Sequence, residues 1–246
     1  MITVPLATPT RMSREEKLLV DGAVQRVLES SRWILGDEVT GFEQEFARYV
    51  GAPEVVGVGN GTDALALAFL ALEIPPGSEV IVCETDGGYG AVAARMVGLT
   101  PVPMEVDPHS FVPTAELAAQ ALSSRTRAVV VTHLHGTAVP LLELDQWRHG
   151  AGLHMIEDCA HAHGLRVDGN HVGTTGDIAT FSFYPTKNLG AVGDAGALVF
   201  SIVPRVHTTA RSIGTRPSSW RGVTPSSISA TTTSSCRTTS TIFSFS

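Results

Sequence analysis

The chain has 246 residues, 43% apolar and 17% charged, a balance that favours one large or two ordinary packed domains and excludes disorder throughout. Its cysteines, Cys83, Cys159 and Cys236, are odd in number and widely spaced, which argues against a disulfide framework and for reduced thiols. Residues 1–200 carry all 24 acidic residues and 12 of the 17 basic ones, whereas residues 201–246 carry five arginines and no acid; the acidic body argues against a nucleic-acid partner. The longest uncharged apolar run, from Ala64 to Leu72, is far short of the ~20 residues a membrane span needs. The opening MITVPLATPTRMSREE lacks the basic-then-apolar order of a secretory signal, which points to the cytoplasm and to no membrane partner.

In chain order, residues 1–50 read as an N-terminal helical segment. Two capping boxes open its helices, Ser13 with Glu16 and Thr40 with Glu43, on either side of a turn at SSRWILGDE. From there to residue 200 the pattern changes to strands at 55–58, 80–83, 101–106, 128–132, 154–157, 178–183 and 195–200. Helical stretches at 63–72, 91–97 and 114–122 fall between them. Such alternation predicts an α/β fold, a mostly parallel sheet with helices on both faces and the site at the strand ends. A loop rather than a helix joins the last two strands, so the sheet is expected to be mixed. After Phe200 the pattern stops: 22 of the last 46 residues are Ser or Thr, as in a disordered tail or a segment that is not the native continuation.

Three stretches within residues 51–200 carry chemistry. In VVGVGNGTDALALAF a strand, a turn bearing Gly57, Gly59 and Gly61, and a helix starting near Thr62 make a phosphate cradle. Thr62 stands where a dinucleotide fingerprint needs its third glycine, although Glu84 at the next strand end could hold a ribose, so an NAD oxidoreductase remains an alternative. EDCAHAHG places Asp158 at a strand end, where a carboxylate can keep a cofactor ring nitrogen charged or simply cap the next turn. Asp158, Cys159, His161 and His163 match no common zinc spacing, and no metal is assigned; His133 and His135 in VVVTHLHG read as polar residues lining the same cleft. In FSFYPTKNLGAVGDAG, an apolar strand delivers Ser182, and Lys187 follows in a run almost free of other charge. Lys17 is the only other lysine, so Lys187 is a poor candidate for a mere solubilising charge and a good one for a Schiff-base nucleophile. Tyr89 in ETDGGYG is either a ring that lies on a planar cofactor or an ordinary half-buried aromatic. A phosphate cradle, a ring-nitrogen acid and a Schiff-base lysine in that order are the handles by which a protein holds pyridoxal 5'-phosphate.

GNGTDALALA, IEDCAHAHG after HLHG, and FSFYPTKNLGAVGDAG together resemble the DegT/DnrJ/StrS family of pyridoxal-phosphate-dependent nucleotide-sugar aminotransferases, from about Pro5 to Phe200. The resemblance implies the large domain of the aspartate aminotransferase fold, type I. It implies that Lys187 carries the cofactor, that Asp158 pairs with the pyridine nitrogen, and that Gly61, Thr62, Asp63 and Ser182 surround the phosphate. Tyr89 would be the stacking aromatic, although ETDGGY departs from the family's usual asparagine-threonine-aromatic sequence. Family members usually move an amino group from glutamate or glutamine to a nucleotide-linked keto-sugar, often in antibiotic or surface-polysaccharide pathways, and act as homodimers. Because Lys187 is present, transamination is expected rather than the dehydration run by a relative with histidine there. His161 stands where the family usually has glutamine near the cofactor's phenolic oxygen. The family's small C-terminal domain has no counterpart after Phe200, so a frameshifted or truncated end, leaving an inactive fragment or interaction protein of the same fold, is the second alternative.

Overall fold

A computed structural model describes residues 12–201; the expectations for residues 202–246, Cys236 among them, and for the start of the resemblance at Pro5 lie outside the described residues. Helix α1 (Arg14–Ser30) opens with the expected capping box, in which Ser13 accepts the Glu16 N–H and Glu16 accepts the Ser13 N–H. Helix α2 (Asp37–Val50) corrects the second box. Its cap is Gly36, where a Cβ would stand 2.6 Å from the Arg32 carbonyl oxygen, and Asp37 and Glu38 occupy its positive end. Thr40 lies inside the helix, and Glu43 turns inward to accept the Gly57 N–H at 3.0 Å, tying α2 to the first strand.

The strands are β1 (Glu54–Val58), β2 (Glu79–Cys83), β3 (Thr100–Met104), β4 (Thr126–Thr132), β5 (His154–Asp158), β6 (Arg166–Val167), β7 (Asn170–His171), β8 (Ile178–Ser182) and β9 (Gly196–Phe200). All seven strands foreseen from the sequence are present, with ends shifted by up to two residues, and β6 with β7 forms an additional short hairpin. The remaining helices are α3 (Gly61–Ala71), α4 (Tyr89–Met96), α5 (Ala115–Gln120) and α6 (Leu141–Gly150). Helix α6 has no counterpart in the sequence reading, because Arg148 shares its buried face with Leu141 and Leu144 and breaks the apolar period.

The main sheet has the order β1-β9-β8-β5-β4-β2-β3. Its pairs from β8 to β3 are parallel, while β9 runs antiparallel to both β8 and β1, so the sheet is mixed as expected. Helices α3 and α4 cover one face, packing Leu65, Phe69 and Ala94 on Val56, Val82, Val130, Ile156 and Ile178. On the other face Phe42 and Phe46 of α2 and Leu144 of α6 pack against Ile81, Val129, Met155, Phe181 and Val199. Apolar side chains thus alternate between two cores, and what is polar collects at the strand ends. None of the described helices is long and apolar enough to cross a membrane.

Candidate active site

The parallel strands β4, β5 and β8 end side by side, with Thr132, Asp158 and Thr180 in register. Residues in parallel register share a face, so Asp158 is flanked by two threonines on the side that α3 covers. The Thr132 and Thr180 hydroxyls are both buried with no hydrogen-bond partner among the described residues. Asp158 is itself buried and accepts one hydrogen bond, from the Ala160 N–H at 3.0 Å. Burial pushes its carboxyl up to about 6; the Asp86 carboxylate adds to the rise, and Lys187 opposes it.

The turn before α3 comes to the same edge. Asn60 caps the helix by accepting the Asp63 N–H at 2.8 Å and holds the Asp63 carboxylate with its own amide at 2.8 Å. The Gly61 and Thr62 N–H groups have no intrahelical acceptor and remain available to an anion. Ser182 lies directly against them: a Cβ on Gly61 would stand 2.8 Å from the Ser182 Cβ. Gly61, Thr62 and Ser182 therefore converge, while both the N–H and the carboxylate of Asp63 are engaged by the cap.

Lys187 follows β8 in a tight turn, its N–H donating to the Tyr184 carbonyl at 2.8 Å. Its side chain is half-buried, whereas Lys17 is exposed on α1. Burial lowers the Lys187 pKa and the Asp158 charge opposes that shift, which places the amine in the field of Asp158. His161 faces the same amine; burial, then Lys187 and His135, lower its pKa. The His135 and His161 rings stack with centroids 5.5 Å apart and planes 12° apart. Tyr89 begins α4 with its ring largely in solvent. His163 sits 5.5 and 5.3 Å from the rings of Phe181 and Phe183, and burial drives its pKa down to about 4, with His171 and Lys187 adding to the fall.

Two earlier readings need correction. His133 does not line the cleft: it is fully buried, bonded to Glu157 at 3.1 Å and accepting the Val139 N–H at 3.3 Å. Glu157 also accepts the N–H groups of Gly173, Thr175 and Gly176; burial pushes its carboxyl up, but His133 and these donors outweigh it and hold the pKa low. The donor atoms of His133, Glu157 and Cys159 lie within 4.8 Å of one another, yet His133 and Glu157 are already bonded and burial keeps the thiol protonated, so they offer no open ligand set. The dinucleotide reading fails on topology. The glycine-rich turn follows β1, Glu84 follows β2, and four strands stand between them, so no single nucleotide can use both in the manner of adjacent Rossmann strands.

Sequence reasoning missed Asp86, Thr180 and Asn60. Asp86 is buried and accepts the N–H groups of Gly88 and Gly90; the signal for it was an aspartate before two glycines and a helix. Asn60 was legible as a cap residue before Thr62 and Asp63, whereas nothing in a strand sequence distinguishes an orphaned threonine hydroxyl.

A mixed sheet with a glycine turn packed on Ser182, a buried strand-end aspartate and a half-buried lysine at one edge is the large-domain architecture of the type I pyridoxal-phosphate-dependent transferases. The crystal structure of DesV from S. venezuelae in complex with a ketimine intermediate superimposes with a TM-score of 0.80 at 40% identity, over 85% of this chain and 56% of that one. The chain belongs to the DegT/DnrJ/EryC1/StrS aminotransferase family, whose profile matches residues 15–215, past the Phe200 boundary at which the family pattern was expected to end. It is 43% identical over 198 residues to the dTDP-3-amino-3,4,6-trideoxy-alpha-D-glucose transaminase of Streptomyces venezuelae, covering 80% of this chain and 52% of that protein. It is 41% identical over 176 residues to a UDP-N-acetyl-3-dehydro-alpha-D-glucosamine 3-aminotransferase of Acidithiobacillus ferrooxidans, covering 72% of this chain and 48% of that one. The chain thus spans about half the length of the curated relatives it matches.

Proposed function

We propose that the chain carries the cofactor site of a pyridoxal 5'-phosphate-dependent aminotransferase that moves an amino group from glutamate or glutamine to a nucleotide-linked keto-sugar. The observation that carries this reading is the half-buried Lys187 amine in the field of Asp158, on the sheet edge where the Gly61–Thr62 turn packs on Ser182. The named relatives, one acting on a dTDP-sugar and one on a UDP-sugar, support the substrate class. In this reading residues 51–200 are the cofactor-binding unit, residues 1–50 a helical lead-in, and the protein a cytoplasmic homodimer; sedimentation velocity and cell fractionation test the last two points.

The residues present fit the cofactor. Among the described residues the Thr132 and Thr180 hydroxyls are buried without hydrogen-bond partners and the Asp158 side chain accepts only the Ala160 N–H, and glycine at 61 leaves Ser182 and two N–H groups accessible to a phosphate. Pyridoxal phosphate, when bound, supplies an electron-withdrawing ring that stabilises negative charge on a substrate carbon. Gly61, Thr62 and Ser182 would bind its phosphate. Asp158, ionised above about pH 6, would hold a proton on the ring nitrogen. Lys187, with its pKa lowered by burial, has an amine able to bond the cofactor's aldehyde carbon and, once displaced by the donor amine, to carry a proton away from the substrate carbon and back. Tyr89 would cover one face of the ring, and His161 would donate a hydrogen bond at the phenolic oxygen, being largely neutral at pH 7.

The test is reductive trapping with borohydride after adding pyridoxal phosphate, followed by peptide mapping. The added mass is expected on the peptide bearing Lys187, with exposed Lys17 as an internal control. Absence of label, or label on Lys17 alone, would defeat the reading.

A further inference from the structure

The segment between β2 and α4, ETDGGYG, has a specific geometry. Gly87 and Gly88 both have left-handed backbones, with φ of 74° and 83°. Two such residues in succession turn the chain sharply, and only glycine adopts them without strain. As a result Tyr89 folds back over Gly87: a Cβ on residue 87 would lie 3.1 Å from the ring Cε2 and 3.3 Å from Cδ2. The ring thus occupies the space that a side chain at 87 would need.

Beneath the turn lies Asp86, 6% exposed. Its Oδ1 accepts the Gly88 N–H at 2.5 Å and its Oδ2 the Gly90 N–H at 2.9 Å, and its own N–H donates to the Cys83 carbonyl at 3.3 Å. Gly88, the residue at the cap position of α4, has no side chain to satisfy the first turn, so Asp86 does this from two residues upstream. The fit is close, since a Cβ on Gly90 would stand 2.5 Å from the Asp86 Oδ2. Both hydrogen bonds run to a charged acceptor in a buried place, the stronger class of such bonds.

We propose that Asp86 is a positioning residue of the cofactor site: by clamping the Gly87–Gly88 turn it lays the Tyr89 ring at the cleft, a task for which a side chain at 87 is absent. This rests on the reading of Tyr89 as the residue that covers the cofactor ring. Asp86 touches neither substrate nor cofactor: besides the rise its charge adds to the Asp158 carboxyl, it acts through Tyr89.

A double-mutant cycle of Asp86→Ala and Tyr89→Ala tests it with three readouts. These are the nuclear Overhauser contact between the Tyr89 ring and the Gly87 α-protons in ligand-free protein, the dissociation constant for pyridoxal phosphate, and the thermal midpoint. The contact is expected in the wild type and lost in Asp86→Ala; cofactor binding should weaken about tenfold, as for loss of a charge-assisted hydrogen bond, and the double variant should bind within about twofold of Tyr89→Ala. Should Asp86→Ala fail to fold, Asp86→Asn, which keeps one acceptor oxygen, should weaken the contact and the affinity together, each by less than complete loss of the clamp. Persistence of the contact in a folded Asp86 variant, or losses that multiply in the double variant, would overturn the proposal. Loss of the contact with unchanged binding in Tyr89→Ala would instead sink the ring-covering reading and the site role of Asp86 with it. A wild type that binds no pyridoxal phosphate would point to failure of the aminotransferase reading itself.

Discussion

Strand β5 meets an aspartate at each end, Asp177 from just before β8 at its start and its own Asp158 at its finish, and the sheet treats them in opposite ways. At its start Asp177 accepts the Met155 N–H at 2.9 Å, both its oxygens take the Arg148 guanidinium at 3.0 and 2.9 Å, and His154 lies 3.3 Å away. Burial alone would push its carboxyl up, but His154, the Met155 N–H and Arg148 prevail and hold it down to about 2. At the far end Asp158 is more deeply buried, has one N–H donor and stays near 6. The first aspartate is fully partnered and fastens β8 to α6; the second has unused acceptor capacity, beside two threonine hydroxyls without partners among the described residues and a half-buried lysine. One end of the sheet is built for stability, and the other is left incomplete in the way a ligand site requires.

If that division is right, the largest stability loss should come from the well-partnered end. Asp177→Ala leaves the buried Arg148 with Asp145 alone, and should cost about 3 kcal/mol in urea unfolding, somewhat less than a fully buried pair would lose. The folded pKa of Asp177 lies below its unfolded value, so its contribution is present above ~4 and fades as pH falls through about 2; the gap between wild type and variant should close in that window. Trapping of pyridoxal phosphate on Lys187 at neutral pH should survive. A parallel collapse of trapping in a folded Asp177→Ala would break the comparison.

At the site edge, Gly196→Ala should cost about 2 kcal/mol, because the new Cβ would stand 2.4 Å from the Asn60 carbonyl oxygen and must push the cap of α3 aside. Unlike Asp177→Ala, it should also weaken pyridoxal phosphate binding, measurable by titration, since Gly61 moves with Asn60.

Asp158→Asn should do the reverse of an ordinary core substitution and stabilise the ligand-free chain, by about 1–2 kcal/mol at pH 7. The sign follows from a folded pKa near 6, above the unfolded one: below ~4 both states are protonated and nothing is gained, the gain grows between ~4 and about 6, and it levels off above that. Chemical denaturation at pH 4 and pH 7 checks it. The smallest effect is expected at the stacked histidines, where His135→Leu should let His161 titrate at a slightly higher pH in NMR, since His135 is the least of the three influences lowering it.

Much of this was legible in the sequence because it is local. Strand periods, the Ser13 box, the glycine turn and the FSFYPTKNLG run each draw their meaning from neighbours in the chain, and the strands and the approach of Gly61 to Ser182 followed. What failed was long-range. A histidine at 133 reads the same whether it faces the cleft or Glu157, 24 residues on, and Thr40 with Glu43 has the form of a capping box although Glu43 is drawn away to Gly57. Helix α6 was hidden because Arg148 points inward to Asp177, a partner 29 residues distant. Strand order, which separates β1 from β2 and removes the dinucleotide reading, is written in no local pattern at all.

The comparison and the proposed chemistry meet in one measurement: carboxyl-carbon NMR titration of selectively labelled aspartates, with and without pyridoxal phosphate. Asp158 should titrate near 6 in the free protein and fall below 4 once the cofactor's ring nitrogen faces it, while Asp177 stays at about 2 throughout. An Asp158 that titrates in the ordinary carboxylate range when free, or one indifferent to the cofactor, would contradict the account.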